Sequence, residues 1–345
     1  MFTCLFLAAQ VPQGYYNTIE GKQKITLKTA LHNIIKDHTE LTYKDLWTAF
    51  TDTDAKPNGK VWDMYSDNPN GAPAYEFTFI TEQCGNYQKE GDCYNREHSF
   101  PKSWFDDAFP MYTDLFHLYP TDGYVNGKRS NYPFGEVNAP SWTSSNGSKL
   151  GNNATAGYSK TVFEPVDAYK GDFARTYFYM VTCYEDKVAG WKSTEAQESL
   201  AGNSYPAFKQ WAIDVLLKWH RDDPVSQKEI DRNNVVYTTY QHNRNPYIDH
   251  PELVEYIWGN KMDETYYFPG SGIDSEFEQT VEIYASAGAI VLKAARPVQS
   301  IHVYDVFGRL VHAGTGTAGE NQIRVSAAQF YIVKADTTIA KVYVE

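Results

Sequence analysis

The chain of 345 residues is predicted to be an α+β protein: a helix-rich region with a few strands, then a small all-β sandwich. Three observations predict this. Up to Trp258, segments with apolar residues at helical spacing alternate with stretches broken by Pro and Gly. From Val281 onward, short alternating strands follow one another at intervals of about 8–12 residues. No stretch approaches the roughly 18 apolar residues of a membrane span. With 42% hydrophobic and 21% charged residues, the composition excludes a disordered, collagenous or coiled-coil chain.

The first eleven residues, MFTCLFLAAQV, are apolar and end on small residues, like the end of a secretory signal without its basic start; the alternative is a buried N-terminal strand. Leu27, Leu31, Ile34 and Ile35 recur at helical spacing, which predicts a helix over 25–38 with Thr26 as its N-cap. A shorter helix is expected over 43–50. The following TDTDAKPNGK lacks the spacing and closing Glu of a calcium loop and reads as a solvated turn. Residues 75–81 alternate and are aromatic, which predicts a strand. Residues 93–137 are polar, aromatic and Pro-broken, the kind of irregular region that carries function. Residues 138–160, rich in Ser, Asn and Gly, read as a surface loop. A buried helix is expected over 172–184, and amphipathic helices over 206–220 and 224–240. Residues 262–280 form a polar, Gly-containing linker. The strands after it are VEIYA, AIVLKA, SIHVYDV, RLVHA, QIRVS, FYIVKA and AKVYVE.

The net charge of -12 argues against a protein whose affinity comes from wrapping nucleic acid. It leaves room for an enzyme that meets phosphate through a bound metal ion. Tyr occurs 27 times and Trp 8 times, which suits surfaces for flat or sugar-like ligands, although the same rings fill cores. Of the four cysteines, Cys84 and Cys93 bracket a short polar loop and read as a local disulfide, which implies an oxidising compartment. A zinc pair is the alternative, but no second CxxC or HxxxH partner appears.

The densest chemistry lies in Cys93–Pro101, with Arg96, Glu97 and His98, and in 114–131, with Asp114, His117, Asp122, Asn126, Lys128, Arg129 and Asn131. Phosphodiester hydrolysis needs a base near neutrality, and an imidazole with a pKa of roughly 6.5 serves. It needs positive charge at the phosphate, from a metal ion or Arg. A carboxylate and an amide oxygen, such as those of Glu97 and Asn126, suit Mg²⁺. Adjacent strand residues point to opposite faces, so Glu97 and His98 share a site only if the strand ends or bulges there. Pro101 permits an ending.

NREHSFPKSW, VNGKRSN, ARTYFYM and HNRNPY, in that order, resemble the endonuclease I family of secreted or periplasmic bacterial nucleases, over roughly residues 14–260. The resemblance implies a ββα-metal core embedded in helices, acting on DNA and/or RNA with little sequence preference. It implies His98 as general base, Glu97 and Asn126 as ligands of a single Mg²⁺ (Ca²⁺ or Mn²⁺ as alternatives), and an Arg on the phosphate. Family members often carry Asp-x-His-Asn-Leu where this chain has Asp114-Leu-Phe-His117-Leu118, so His117 inherits no role. Some members place the phosphate Arg in an insertion absent here, which leaves Arg129, Arg175 or Arg96, with Arg129 first because it shares a helix face with Asn126. Arg175 in an aromatic helix could equally be a structural Arg. Lys128, Asn131 and Arg96 are expected to bind substrate, and Asn243–Pro246 to cap the last helix.

VYDVFGRLVHAG and the closing AKVYVE resemble the sorting domains of the type IX secretion system, which implies export to the medium or cell surface of a Bacteroidetes-type bacterium. The expected organisation is a signal remnant (1–11), a catalytic domain (12–261), a linker (262–280) and a sorting sandwich (281–345), as a monomer with the secretion machinery as partner. A second reading is a secreted, non-catalytic protein whose aromatic face binds glycan or nucleic acid.

Overall fold

The computed structural model describes residues 11–268 and 281–344, apart from 287, 296, 327 and 337. The expected signal segment lies almost wholly outside the described residues, as does most of the expected linker. The chain divides into two compact units, Met1–Tyr267 and Phe268–Glu345.

The first unit opens with α1 (Lys24–Ile35) and α2 (Leu46–Thr53). Leu27, Leu31 and Ile35 form the buried stripe of α1, as the spacing predicts. Thr26 is not the N-cap. It lies three residues inside, and its hydroxyl accepts from the backbone N–H of the capping residue Gln23 at 3.2 Å. The turn after α2 is less solvated than expected, because the buried Asp54 pairs with Arg232 at 2.9 Å. Residues 75–81 form no strand: the segment has no ladder partner, and Phe77 instead packs with Val61 and Tyr94.

β1 (Tyr94–His98) pairs antiparallel with β2 (Leu118–Asp122), His98 opposite Leu118, and α3 (Gly123–Arg129) follows β2 directly. Asp122 starts α3, its Oδ1 accepting from Val125 N at 2.8 Å. The predicted loop over 138–160 is instead most of an antiparallel sheet: β3 (Val137–Thr143), β4 (Lys149–Asn153) and β5 (Thr161–Glu164), in that order. Its polarity hid it. β3 is a mostly exposed edge with register shifts on both sides of Pro140, so it carries no apolar alternation.

Every residue of α4 (Lys170–Cys183) is buried, so it is the central helix of this unit. α5 (Ala196–Ser199), α6 (Gln210–Asp222), α7 (Gln227–Val235), α8 (Pro246–Asp249) and α9 (Leu253–Ile257) complete the unit, and α1, α6 and α8 pack on α4. Asn245 is a cap, as expected, but of α8 and not of the last helix: its side chain accepts from Tyr247 N at 3.0 Å, and α9 follows.

The second unit is an all-β sandwich of antiparallel strands: β6 (Val281–Ser286), β7 (Ala289–Ala294), β8 (Val298–Asp305), β9 (Leu310–Gly316), β10 (Gly319–Arg324), β11 (Gln329–Ala335) and β12 (Thr338–Val344). One sheet has the order β10-β7-β6, the other β12-β11-β8-β9. Ile290, Leu292, Val298, Ile301, Val303 and Val333 fill its own core.

Candidate active site

β1 ends at His98, and the chain leaves it through Pro101 into a short 3-10 turn. Around that strand end and the exposed side of α3 lies a cleft of about 220 Å³. It is lined by Glu97, His98, Asn126, Arg96, Arg129 and Asn131, with Tyr43, Tyr87, Asn95, Pro101, Lys102 and Ser130. Among these residues the cations Arg96, Lys102 and Arg129 face one carboxylate, Glu97. Two of these cations are paired, Arg129 with Glu97 at 3.1 Å and Lys102 with Asp107 at 2.7 Å.

Glu97 and His98 do point to different sides of the strand. The Glu97 carboxylate meets Tyr65 and Arg129, while the His98 ring lies against Tyr43, Tyr112 and His117. Both reach the cleft because the strand stops there. Tyr65 Oη donates to Glu97 Oε1 at 2.9 Å, and Arg129 Nη1 approaches the same oxygen at 3.1 Å. Both contacts fall on Oε1. Burial holds the Glu97 carboxyl above its ordinary range, against the opposing pull of Arg129 and Tyr65.

His98 sits in a stack of rings, with Tyr112 at 5.1 Å between centroids. Its Nε2 lies 3.1 Å from the carbonyl oxygen of Tyr112. A carbonyl only accepts, so Nε2 carries the proton and, in the neutral ring, Nδ1 keeps the lone pair. Burial, then the neighbouring His117 ring, push the His98 pKa well below the ordinary imidazole value. The ring is therefore neutral at neutral pH. His117 is buried behind it, 5.5 Å away between centroids, and its Nε2 donates to Met111 O at 2.6 Å.

Asn126 projects from α3, and its Nδ2 donates to Arg96 O at 3.5 Å, which turns Oδ1 away from that carbonyl. Asp122 fastens the neighbourhood: its Oδ2 accepts from Gly91 N and its own N–H donates to Asp63 Oδ2, each at 2.8 Å. The loop containing Gly91 is closed by the Cys84–Cys93 disulfide, as expected from the sequence. Cys93 O also accepts from Gly123 N at 2.9 Å, tying that disulfide to the start of α3.

The arginines differ from expectation. Arg129 is 1% exposed, and its two Nη atoms go to Glu97, His98 O, Ser99 O and Tyr177 Oη, so it braces the strand end instead of offering a free fork to phosphate. Arg175 lies outside the cleft. It makes a bidentate pair with Glu229, at 2.5 Å and 2.9 Å, and a bond to Asp223 O, which is the structural alternative. Arg96 lines the cleft with its guanidinium over Tyr43 and Trp47, 3.5 Å and 4.3 Å from the ring centroids. Lys128 turns away from the cleft lining, over the Tyr124 ring. Sequence reasoning missed Tyr43, Tyr65, Tyr87 and Tyr112. Among 27 tyrosines in no motif, nothing marks these four.

A second group, His38, Asp114 and Cys183, brings three ligand-type atoms within 4.8 Å of one another. None of the three lines the cleft. Asp114 already accepts from Phe116 N, Tyr179 Oη, Tyr184 Oη and Gln241 Nε2. Burial and the charge of Asp114 keep the Cys183 thiol protonated. A saturated carboxylate and a protonated thiol make a structural hub, not a site for a hard cation.

The Endonuclease I family profile matches residues 23–252. The chain is 37% identical over 248 residues to an extracellular ribonuclease of Bacillus amyloliquefaciens, covering 71% of this chain and 78% of that one. It is 36% identical to an extracellular ribonuclease of Bacillus subtilis (strain 168), again over 71% and 78% of the two chains. An endonuclease-1 of Buchnera aphidicola subsp. Baizongia pistaciae (strain Bp) is 29% identical over 39% of this chain and 46% of its own length.

Proposed function

The chain belongs to the endonuclease I family, and from that premise we propose that it is a secreted, metal-dependent endonuclease. Its substrates are DNA, RNA or both, cut at phosphodiester bonds with little sequence preference. The observation that carries this reading is that Glu97, His98 and Asn126 line one cleft, at the end of β1 and on α3.

The donor set fits a hard divalent ion. Glu97 supplies a carboxylate anchored at Oε1 by Tyr65 and Arg129, and the amide of Asn126 is oriented by its bond to Arg96 O. These two residues would hold one Mg²⁺, with Ca²⁺ or Mn²⁺ as alternatives, in a ββα-metal arrangement. When bound, the ion supplies positive charge to the phosphate and to the leaving oxygen. His98 takes a proton at Nδ1 from the water that attacks phosphorus, while its Nε2–H stays on Tyr112 O and steadies the imidazolium that forms. Arg129 keeps Glu97 and the carbonyls of the strand end in place. Arg96 draws the polyanion to the cleft, and Asn131 and Ser130 offer polar contacts at its rim.

The extracellular ribonucleases among the relatives support secretion and action on RNA. We read the β-sandwich as a secretion-sorting module of the type IX kind, on the strength of its VYDVFGRLVHAG hairpin. There Asp305 accepts from Phe307 N and Arg309 N around a Gly308 at φ 76°.

The test is incubation with plasmid DNA and with RNA in Mg²⁺, repeated with EDTA. Degradation that EDTA abolishes is expected. Nucleic acid left intact under Mg²⁺, Mn²⁺ and Ca²⁺ would favour the non-catalytic binding protein.

A further inference from the structure

Tyr87 sits midway in the loop that the Cys84–Cys93 disulfide closes. Its ring lies along the side of α3 that carries Gly123 and Gly127. A Cβ at Gly123 would stand 2.5 Å from Tyr87 Cδ1, and one at Gly127 would stand 2.9 Å from its Oη. The two glycines, four apart on one helix face, leave room for this ring and no more. Tyr87 is half-buried and lines two concavities: the cleft that holds Glu97, His98 and Asn126, and a polar depression of about 580 Å³ formed by its own loop with Gly85, Asn86, Gln88 and Asp92.

Its situation differs from that of Tyr43, the other ring of the cleft. Tyr43 is already stacked by Arg96, His98 and Tyr112. No described residue stacks on Tyr87 or hydrogen-bonds its hydroxyl. An aromatic surface fixed by a disulfide loop, beside the base and metal-ligand positions, and opening on a polar hollow, suits a nucleobase. Such a ring takes any base, because every base has a π-face, but only a base not stacked between its own neighbours can reach it.

Resting on the nuclease reading above, we infer that Tyr87 is a stacking platform for the base of an unpaired nucleotide next to the scissile phosphate. It thereby sets a preference for single-stranded over duplex substrate. The polar depression receives the sugar beyond that base.

The test uses the full chain and a short labelled RNA, either single-stranded or annealed to its complement. Cleavage is followed in Mg²⁺, and binding by fluorescence anisotropy in EDTA. Tyr87→Ala is expected to raise KM on the single strand and to weaken its binding, each by about tenfold, the scale of one lost stacked base. The same change should leave kcat within about threefold and duplex cleavage nearly unaltered. Tyr87→Phe keeps the ring within the same space and should keep parental values. Tyr87→Leu covers the same glycines without a π-face, so it should behave like Tyr87→Ala and separates stacking from packing. A Tyr87→Leu protein with parental KM and binding, or one weakened equally on both substrates, would overturn the inference. A parent that binds but never cleaves would sink the nuclease reading instead, and anisotropy would still report on Tyr87.

Discussion

His98 donates from Nε2 to the Tyr112 carbonyl and is the one imidazole lining the cleft among the described residues. His98→Ala should lower cleavage by about 10²–10⁴-fold, the range of a lost general base, in a protein that still folds. Glu97→Gln keeps the shape but removes the charge, so it should raise the Mg²⁺ concentration for half-maximal rate. Near-parental turnover in the first, or an unchanged metal titration in the second, would remove that residue from the mechanism. Asp63 offers a prediction about pH. Burial lifts its carboxyl from 3.8 to about 7, and the nearby Asp122 adds to the rise, while bonds from Ser66 Oγ, Tyr65 N and Asp122 N oppose it. The folded state thus holds a proton that the unfolded chain loses near pH 4. This group's contribution to stability falls as pH rises from about 4 to about 7, by roughly 1.4 kcal/mol per unit at most, then levels off. Urea unfolding of parent and Asp63→Asn across that range should show the parent losing ground to the variant as pH rises. A constant difference would show that Asp63 does not titrate there.

At the level of elements, α4 and α7 are joined by a charge pair that also completes a helix cap. Ser226 starts α7 and accepts from Glu229 N, and Glu229 Oε2 accepts from Ser226 N while both its oxygens meet Arg175. Arg175→Ala would leave the Glu229 charge buried and unpaired, which costs about 3–5 kcal/mol for pairs of this kind. Denaturant unfolding should show that loss, with cleavage per folded molecule preserved. Lost cleavage at unchanged stability would return Arg175 to the phosphate. β1 and β2 present a different case. Their short ladder is held at the cleft by contacts from outside the sheet, namely Arg129 on the strand-end carbonyls and the disulfide loop on Asp122 and Gly123.

In the whole molecule, all residues lining the cleft belong to the first unit, and the sandwich has a core of its own. Units with cores of their own couple by a few tenths of a kcal/mol. Deleting the sandwich should therefore leave cleavage per folded molecule within about twofold, while export from the native host fails. A truncated protein that folds but no longer cuts would make the tail part of the substrate surface.

The sequence by itself determined the local features. The stripe of α1, the cap at Asn245, the seven strands of the sandwich and the Cys84–Cys93 pairing depend on neighbours within a few turns of chain, and their periods and spacings are written there. It also carried the Glu97, His98 and Asn126 motif, because each lies in a short run that resembles a family. Tertiary structure decided what each side chain meets. Arg129 and Arg175 look alike in sequence, yet one braces Glu97 and the other pairs with Glu229, residues 32 and 54 positions away. The sheet β3–β5 was hidden because hydrogen-bonded edges need no apolar alternation. Tyr65, Tyr87 and Tyr112 were hidden because a tyrosine's role is set by which distant backbone, carboxylate or glycine face it reaches, and no period in the chain records that.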